Sequence, residues 1–210
     1  MTVNMQKGQT ISLDKEQFDL SSVTVGLGWD VRKPQSSGGL GGLFKGKSAE
    51  YDLDAVAFLL DANGKVANLG QRLVGGDVIF FNSLKHPSGA IWLTGDNRTG
   101  AGDGDDEQII VKFNQLSLAI ERIVFLVVIY QGRQNKQQFG MVDNAYIRAV
   151  DARGVEIARF DLSNDPAFQN MCSVTFAEAY RRDGGWKFRA VGNPHPTDQI
   201  VDLVSPYVSV

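Results

Sequence analysis

The sequence is poor in the residues that most often carry catalysis and redox chemistry. Its 210 residues include one cysteine and two histidines. The lone Cys172 cannot form a disulfide within the chain, and a single cysteine without a neighbouring histidine is typical of an inert buried thiol. His86 and His195 each precede a proline, and neither lies near a serine-nucleophile motif, so both are expected in surface loops. These absences disfavour an enzyme.

Long apolar runs and an excess of basic charge are also missing. The longest apolar run, residues 123–130, is far shorter than the ~20 residues that cross a membrane, and the first twenty residues lack the apolar centre of a signal peptide. Lysine and arginine number 21 against 24 acidic residues, which gives a net charge of −3 and no basic stripe for nucleic acid. We therefore expect a cytoplasmic protein without a nucleic-acid partner.

Negative charge is concentrated in one segment. Residues 96–107 carry five carboxylates against Arg98 alone, a local charge of −4, so the rest of the chain is near neutral. Calcium takes about six to eight oxygen ligands, and the four glycines in residues 94–108 would let carboxylates and carbonyls curl around one ion. The spacing does not fit an EF-hand, because counting from Asp103 puts Gln108 where that loop requires glycine. The alternative is an acidic hairpin tip in open solvent.

Short β-rich segments separated by turns dominate the chain. This pattern predicts a single domain over residues 1–210 with a mostly-β fold, a β-sandwich with a few short helices. The strands are predicted at residues 10–13, 23–29, 77–81, 91–94, 108–113, 123–130, 145–150, 156–162, 175–182 and 186–191, with a short helix at 200–204. Residues 183–185 predict a hairpin turn, and residues 115–121 fit either a helical turn or a strand.

Residues 34–48 differ from the rest in their content of Ser, Gly and Lys, and they are predicted to form a flexible insertion. Residues 41–48 also match the phosphate-loop pattern. That pattern binds phosphate only where it leaves a buried strand and opens a helix, and here the nearest upstream strand ends near Trp29. The aspartate expected in a second motif, Asp61, follows too soon for a crossover helix between parallel strands. Nucleotide binding is therefore disfavoured.

Eight strings along the chain carry a family resemblance. They are TVGLGWD at residues 24–30, DLDA at 52–55, FFN at 80–82, GDNRTG at 95–100, GDGDDEQ at 102–108, FGMV at 139–142, NAYIR at 144–148 and ARFDLS at 158–163. In this order they closely resemble the TerD family of tellurite-resistance and general-stress proteins. The resemblance implies a calcium-binding β-sandwich of the bacterial cytoplasm associated with resistance to tellurite and other stress, and it implies that residues 52–60 form a strand.

The resemblance also implies a set of oxygen ligands for the metal. These are Asp30, Asp52, Asp54, Asp96, Asn97, Asp103, Asp105, Asp106 and Glu107. In an extended segment Asp103, Asp105 and Glu107 would point to one side and Asp106 to the other, which favours two adjacent calcium ions. Asp52 and Asp54 share a face and would have to approach the glycine loop from a neighbouring strand. Asp30 fits equally well as an Asp that caps a turn after its strand.

The sequence thus predicts a non-enzymatic calcium-binding stress protein that acts through calcium-dependent structure or through association with protein partners. One alternative is a metal-assisted hydrolase, in which the same carboxylates would hold two ions about 3.5–4 Å apart. Another is a calcium-dependent binder of membrane surfaces, in which Leu43 and Phe44 would insert beside Lys45.

The donor set predicts ion selectivity. Because the acidic segment offers carboxylates and carbonyls without cysteine or histidine, calcium should bind more tightly than zinc at neutral pH. Magnesium should bind more weakly than calcium because it gives up its water reluctantly. Titration calorimetry with each ion checks the order, and tighter binding of zinc would contradict it.

Overall fold

The computed structural model describes residues 2–31, 51–94, 105–162 and 166–209. Twelve strands and a few short helices are found in this part of the chain, which confirms the predicted mostly-β sandwich. The strands are β1 (Val3–Asn4), β2 (Thr10–Leu13), β3 (Val23–Val31), β4 (Leu53–Leu60), β5 (Val78–Ile79), β6 (Ile91–Thr94), β7 (Glu107–Val111), β8 (Arg122–Ile129), β9 (Val142–Val150), β10 (Glu156–Asp161), β11 (Ser173–Arg182) and β12 (Gly185–His195). The α-helices are α1 (Gly132–Asn135) and α2 (Ile200–Val204), and three 3-10 turns span Phe139–Met141, Pro166–Phe168 and Ser205–Tyr207.

The strands form two six-stranded sheets. The first sheet has the order β1-β10-β9-β3-β7-β6, and the second has the order β2-β12-β11-β8-β4-β5. Neighbouring strands are antiparallel except for the pair β1 and β10. Apolar side chains at alternate positions, such as Val25, Leu27 and Trp29 on β3, are buried in the core between the sheets. Strands β3, β7 and β9 therefore present every second residue to the outer face of the first sheet.

The second sheet is covered on both faces. All eight residues of β4 are buried: one alternating set packs in the core between the sheets, and Val56, Phe58 and Leu60 pack outward in a second apolar cluster. Val66 and the helix residues Leu203 and Val204 belong to this cluster. Burial on both faces explains why this strand reads as a continuous apolar run.

The structure bears on several local predictions. Residues 53–60 form a strand, as the family resemblance implies, and the Asp61 carboxylate accepts the backbone N–H groups of Asn63 and Lys65 in a turn, at 2.8 and 2.9 Å. The phosphate-loop pattern at residues 41–48 lies outside the described residues. Residues 115–121 are turns, neither helix nor strand. The hairpin turn is confirmed, since β11 ends and β12 begins around Asp183 and Gly184, which both have positive φ.

The two histidines hold structural positions. His86 lies in a loop, as predicted, but its ring is enclosed between Asp77 Oδ1 at 3.0 Å and Ser88 Oγ at 2.7 Å. His195 is the last residue of β12 and not a loop residue, and its Nε2 lies 2.8 Å from Thr175 Oγ1. Burial lowers the pKa of His195. Cys172 is buried, as predicted. No helix among the described residues is long and apolar enough to cross a membrane.

Asp151, directly after β9, joins two loops at one end of the first sheet. Its Oδ2 accepts the Asp19 N–H at 3.0 Å, and its Oδ1 accepts the N–H groups of Arg153 and Val155, each at 2.9 Å. The Arg153 guanidinium lies 2.8 Å from Oδ2. Burial by itself would raise the pKa of Asp151, but these hydrogen bonds outweigh it and lower the pKa to about 2.

Replacing Asp151 with asparagine should destabilise the protein at neutral pH. Because the folded-state pKa is below its ordinary value, the ionised carboxylate stabilises the fold above about pH 4, and this stabilisation is lost as the pH falls toward 2. The melting-temperature difference between parent and Asp151→Asn should therefore shrink over that range. Asp183→Asn, at a side chain that is 74% exposed, is the control and should match the parent. A difference that does not vary with pH would contradict the assignment.

Candidate metal centre

Three consecutive carboxylates lie where the chain enters β7, and they diverge in direction. The chain bends at Asp106, whose N–H donates to Leu27 O of β3 at 2.7 Å. Strand alternation would place Asp105 and Glu107 on the same side. The segment is not extended here, so the two side chains lie on different sides. The prediction that they point the same way is therefore wrong, and each of the three carboxylates contacts a different strand.

Asp105 lies on the outer face of the first sheet. Its Oδ1 accepts Nε of Arg148 at 2.7 Å and the hydroxyl of Tyr146 at 3.2 Å, both from β9. The side chain of Asp105 is only 2% exposed, and that of Arg148 is 29% exposed. The hydrogen bond to Asp105 raises the pKa of Arg148, so the guanidinium stays charged beside this carboxylate.

Two glycines of β3 make room for this cluster. A Cβ at Gly26 would lie 2.0 Å from Asp105 Oδ2, and a Cβ at Gly28 would lie 2.4 Å from the Tyr146 ring. Burial, followed by the charge of Asp105, raises the pKa of Tyr146 to about 12. The Arg159 guanidinium stacks 3.6 Å from the centroid of the same ring. Glycine normally weakens a strand, and here it permits close approach of side chains from two other segments.

Asp106 is buried against β3. Its Oδ2 accepts the Trp29 N–H at 2.9 Å. Burial raises the pKa of Asp106, the charges of Asp30 and Asp105 raise it further, and the bond from Trp29 offsets part of the effect. Asp30 is exposed, and its Oδ2 accepts Nδ2 of Asn144 at 2.7 Å. The charges of Asp30 and Asp105 thus both act on the Asp106 carboxylate.

Glu107 reaches across to the second sheet. Its side chain is buried and its Oε2 accepts the Ala55 N–H of β4. Strand β5 pairs with Ala57 and Phe58 only, so this N–H lies beyond the end of β5 and Glu107 supplies its acceptor. A single carboxylate thus connects the two sheets at this end of the sandwich.

Asp54 of β4, another predicted ligand, lies on a different face of the sandwich from Asp105. Asp54 alternates with Leu53 and Ala55, so it shares the outer face of the second sheet with Val56. Asp54 and Asp105 therefore lie on opposite sides of the sandwich. Asp52 precedes the strand, and its carbonyl accepts the Tyr130 N–H at 2.7 Å.

The remaining predicted ligands, Asp96, Asn97 and Asp103, lie outside the described residues. Within residues 2–31, 51–94, 105–162 and 166–209, no three His, Cys, Asp or Glu side chains come close enough to hold an ion on their own. The full ligand set stays a prediction. Sequence reasoning did not identify Arg148 or Tyr146 as part of the site, although the two strand glycines opposite them were a signal that side chains approach β3 closely.

The fold and the site define a class of protein: a two-sheet sandwich with an acidic segment entering one strand beside the opposite sheet. Residues 1–207 match the family model of the TerD domain, and the chain belongs to this family. It is 56% identical to tellurium resistance protein TerX of Serratia marcescens, over 99% of this chain and 100% of that protein. It is also 39% identical to general stress protein 16U of Bacillus subtilis, over 92% of this chain and 91% of that protein.

Solved structures show the same fold. A crystal structure of a homologue of telluride resistance protein TerD from Streptomyces coelicolor A3(2) aligns with a TM-score of 0.61 at 21% identity, covering 90% of this chain and 99% of that one. A second structure, SAV2460, aligns with a TM-score of 0.66 over 90% of this chain and 98% of that one, at 24% identity. At these identities the likeness establishes the fold alone.

The close packing of Asp105 against Gly26 can be tested by adding one methyl group to that glycine. Gly26→Ala should lower the free energy of unfolding by about 1–3 kcal/mol, because the new Cβ overlaps the Asp105 carboxylate. Denaturant unfolding measures this loss. Gly185→Ala is the control, since a Cβ there meets nothing within 4 Å and should cost little. Equal stability of the two variants would contradict the close approach of Asp105 to β3.

Proposed function

We propose that this protein is a calcium-binding stress-response protein, and that calcium at the entry of β7 sets the structure through which it meets protein partners. The observation that carries the proposal is the burial of two consecutive carboxylates, Asp106 and Glu107, at the end of the acidic segment 96–107, with the charge of Asp30 close to Asp106. Close carboxylates repel one another, and a bound cation relieves the repulsion.

The chemistry of the donors fits a hard cation. Asp30, Asp106 and Glu107 offer carboxylate oxygens, and Asp96, Asn97 and Asp103 of the acidic segment would add more oxygen ligands. Asp106 and Glu107 accept the backbone N–H groups of Trp29 and Ala55, and these bonds orient the two carboxylates. Two calcium ions would offset most of the negative charge of these carboxylates.

Binding would be coupled to the structure of both sheets. Asp106 is hydrogen-bonded to β3 and Glu107 to β4, so an ion held by both carboxylates would link strands of opposite sheets. The names of the relatives support a role in stress: TerX is a tellurium resistance protein, and 16U is a general stress protein. We propose the same physiological class for this chain, with rigidity induced by calcium as its working principle.

Calcium should raise the melting temperature. At about a hundred times its dissociation constant, one ion adds about 2.7 kcal/mol by mass action, which for a domain of this size corresponds to a rise of about 5–10 °C. Scanning calorimetry in EDTA and in millimolar calcium measures the rise. Identical melting in the two buffers would refute the proposal.

Asp106→Asn separates binding from packing. It should remove most of the calcium-dependent rise while leaving the metal-free protein at least as stable, because burial already disfavours the charge of Asp106 and an amide oxygen can still accept the Trp29 N–H. Asp183→Asn removes an equal charge at a distant hairpin and should keep the full rise. If both variants keep it, Asp106 is not a ligand.

A further inference from the structure

We infer that Asp105 is an anchor and not a calcium ligand: Arg148 holds it on the outer face of the first sheet, and this pair positions Asp106 and Glu107. The inference rests on the proposed calcium function and deepens it. It separates three consecutive carboxylates, which by sequence are equivalent candidates, into one positioning residue and two ligands.

The contacts of Asp105 are those of a completed ion pair. Its Oδ1 accepts Nε of Arg148 at 2.7 Å and the Tyr146 hydroxyl at 3.2 Å, and Gln108 Nε2 lies 3.5 Å from its Oδ2. A calcium ion on this carboxylate would lie beside a guanidinium that cannot lose its charge. Repulsion between the two cations would oppose ligation there, and the side chain is only 2% exposed.

Arg148 is itself held in place. Its Nη1 lies 3.1 Å from Glu156 Oε2 of β10, so one guanidinium spans from β10 to the end of the acidic segment. Gly26 and Gly28 have no Cβ atom, which leaves space for the side chains of Asp105 and Tyr146. The anchor is thus built from β3, β9 and β10, all of which belong to the first sheet.

The anchor determines where the next two carboxylates point. With Asp105 fixed on the outer face, the chain bends at Asp106, and the Asp106 N–H donates to Leu27 O at 2.7 Å. This geometry turns the Asp106 carboxylate to the Trp29 N–H and that of Glu107 to Ala55 in the opposite sheet. Loss of the Asp105–Arg148 pair should therefore leave Asp106 and Glu107 in place as ligands but hold their carboxylates less firmly.

The test is a double-mutant cycle on Asp105 and Arg148, read by calcium titration calorimetry and by melting in EDTA. Asp105→Asn and Arg148→Met should each keep the number of ions bound by the parent and weaken affinity by roughly 10–100-fold, as loss of an outer positioning contact does at metal sites. The double variant should bind calcium no more weakly than the weaker of the two single variants, because both changes remove the Asp105–Arg148 ion pair. Asp106→Asn is the comparator and should lower the number of bound ions.

Two results would overturn the inference. One is the loss of an ion in Asp105→Asn; the other is tighter calcium binding in Arg148→Met, which would mean that the arginine had been competing with the metal for a ligand. Arg122→Met is the matched control, since it breaks an ion pair with Glu178 in the second sheet and should leave calcium affinity at the parent value. A parent that binds no calcium would refute the proposed function, and with it the calcium part of this inference.

Melting in EDTA distinguishes failure of the anchor from failure of the proposed calcium function. Without metal, the double variant should lose no more degrees than the less stable of the two single variants, whatever the calcium result. Additive losses would show that Asp105 and Arg148 do not act as a unit, and would overturn the anchor by itself. If Arg148→Met does not fold, Arg148→Lys keeps a cation beside Asp105 with fewer donors, and it should keep the parent's ion number with an intermediate affinity.

Discussion

The carboxylates at the entry of β7 are the constraint on which this end of the molecule depends. Strand pleating would alternate their directions, but the bend at Asp106 sends them to three different strands: β9, β3 and β4. Asp105 forms an ion pair, Asp106 accepts a backbone N–H of the same sheet, and Glu107 accepts a backbone N–H of the opposite sheet. Glu107 thereby satisfies a donor that the short strand β5 leaves beyond its end.

This arrangement places negative charge at a buried position, where solvent screens it poorly. Asp106 is buried, and Asp30 and Asp105 raise its pKa after burial has done so. Arg148 balances Asp105 by a contact at 2.7 Å. Asp106 and Glu107 are already oriented by bonds from the two sheets, so the proposed calcium ion would meet little ordering cost at these two carboxylates.

The two sheets contribute differently to this end of the sandwich. The first sheet exposes an outer face on which polar and aromatic side chains pack over Gly26 and Gly28. The second sheet is covered on its outer face by the second apolar cluster, so Asp54 is buried on that side, away from Asp105. The family match over residues 1–207 agrees with the eight TerD-like strings of the sequence, several of which lie in strands of the two sheets.

The sequence by itself determined the class of fold and most of the element positions. Alternation and turn residues were enough to place β2, β6, α2 and the hairpin around Gly184, because these signals are local in the chain. The segment at 115–121 stayed ambiguous because a few apolar residues satisfy both periods, and the tertiary fold left it as turns.

The roles of the acidic residues were decided only by the tertiary structure. Asp105, Asp106 and Glu107 are neighbours in sequence with similar chemistry, and nothing local distinguishes them. Arg148 lies 43 positions from Asp105 and Ala55 lies 52 positions from Glu107, so each partner is brought close only by strand pairing and sheet packing. A bend of one residue then overrides the alternation that the sequence predicts, because hydrogen bonds to distant strands outweigh the local preference for an extended chain.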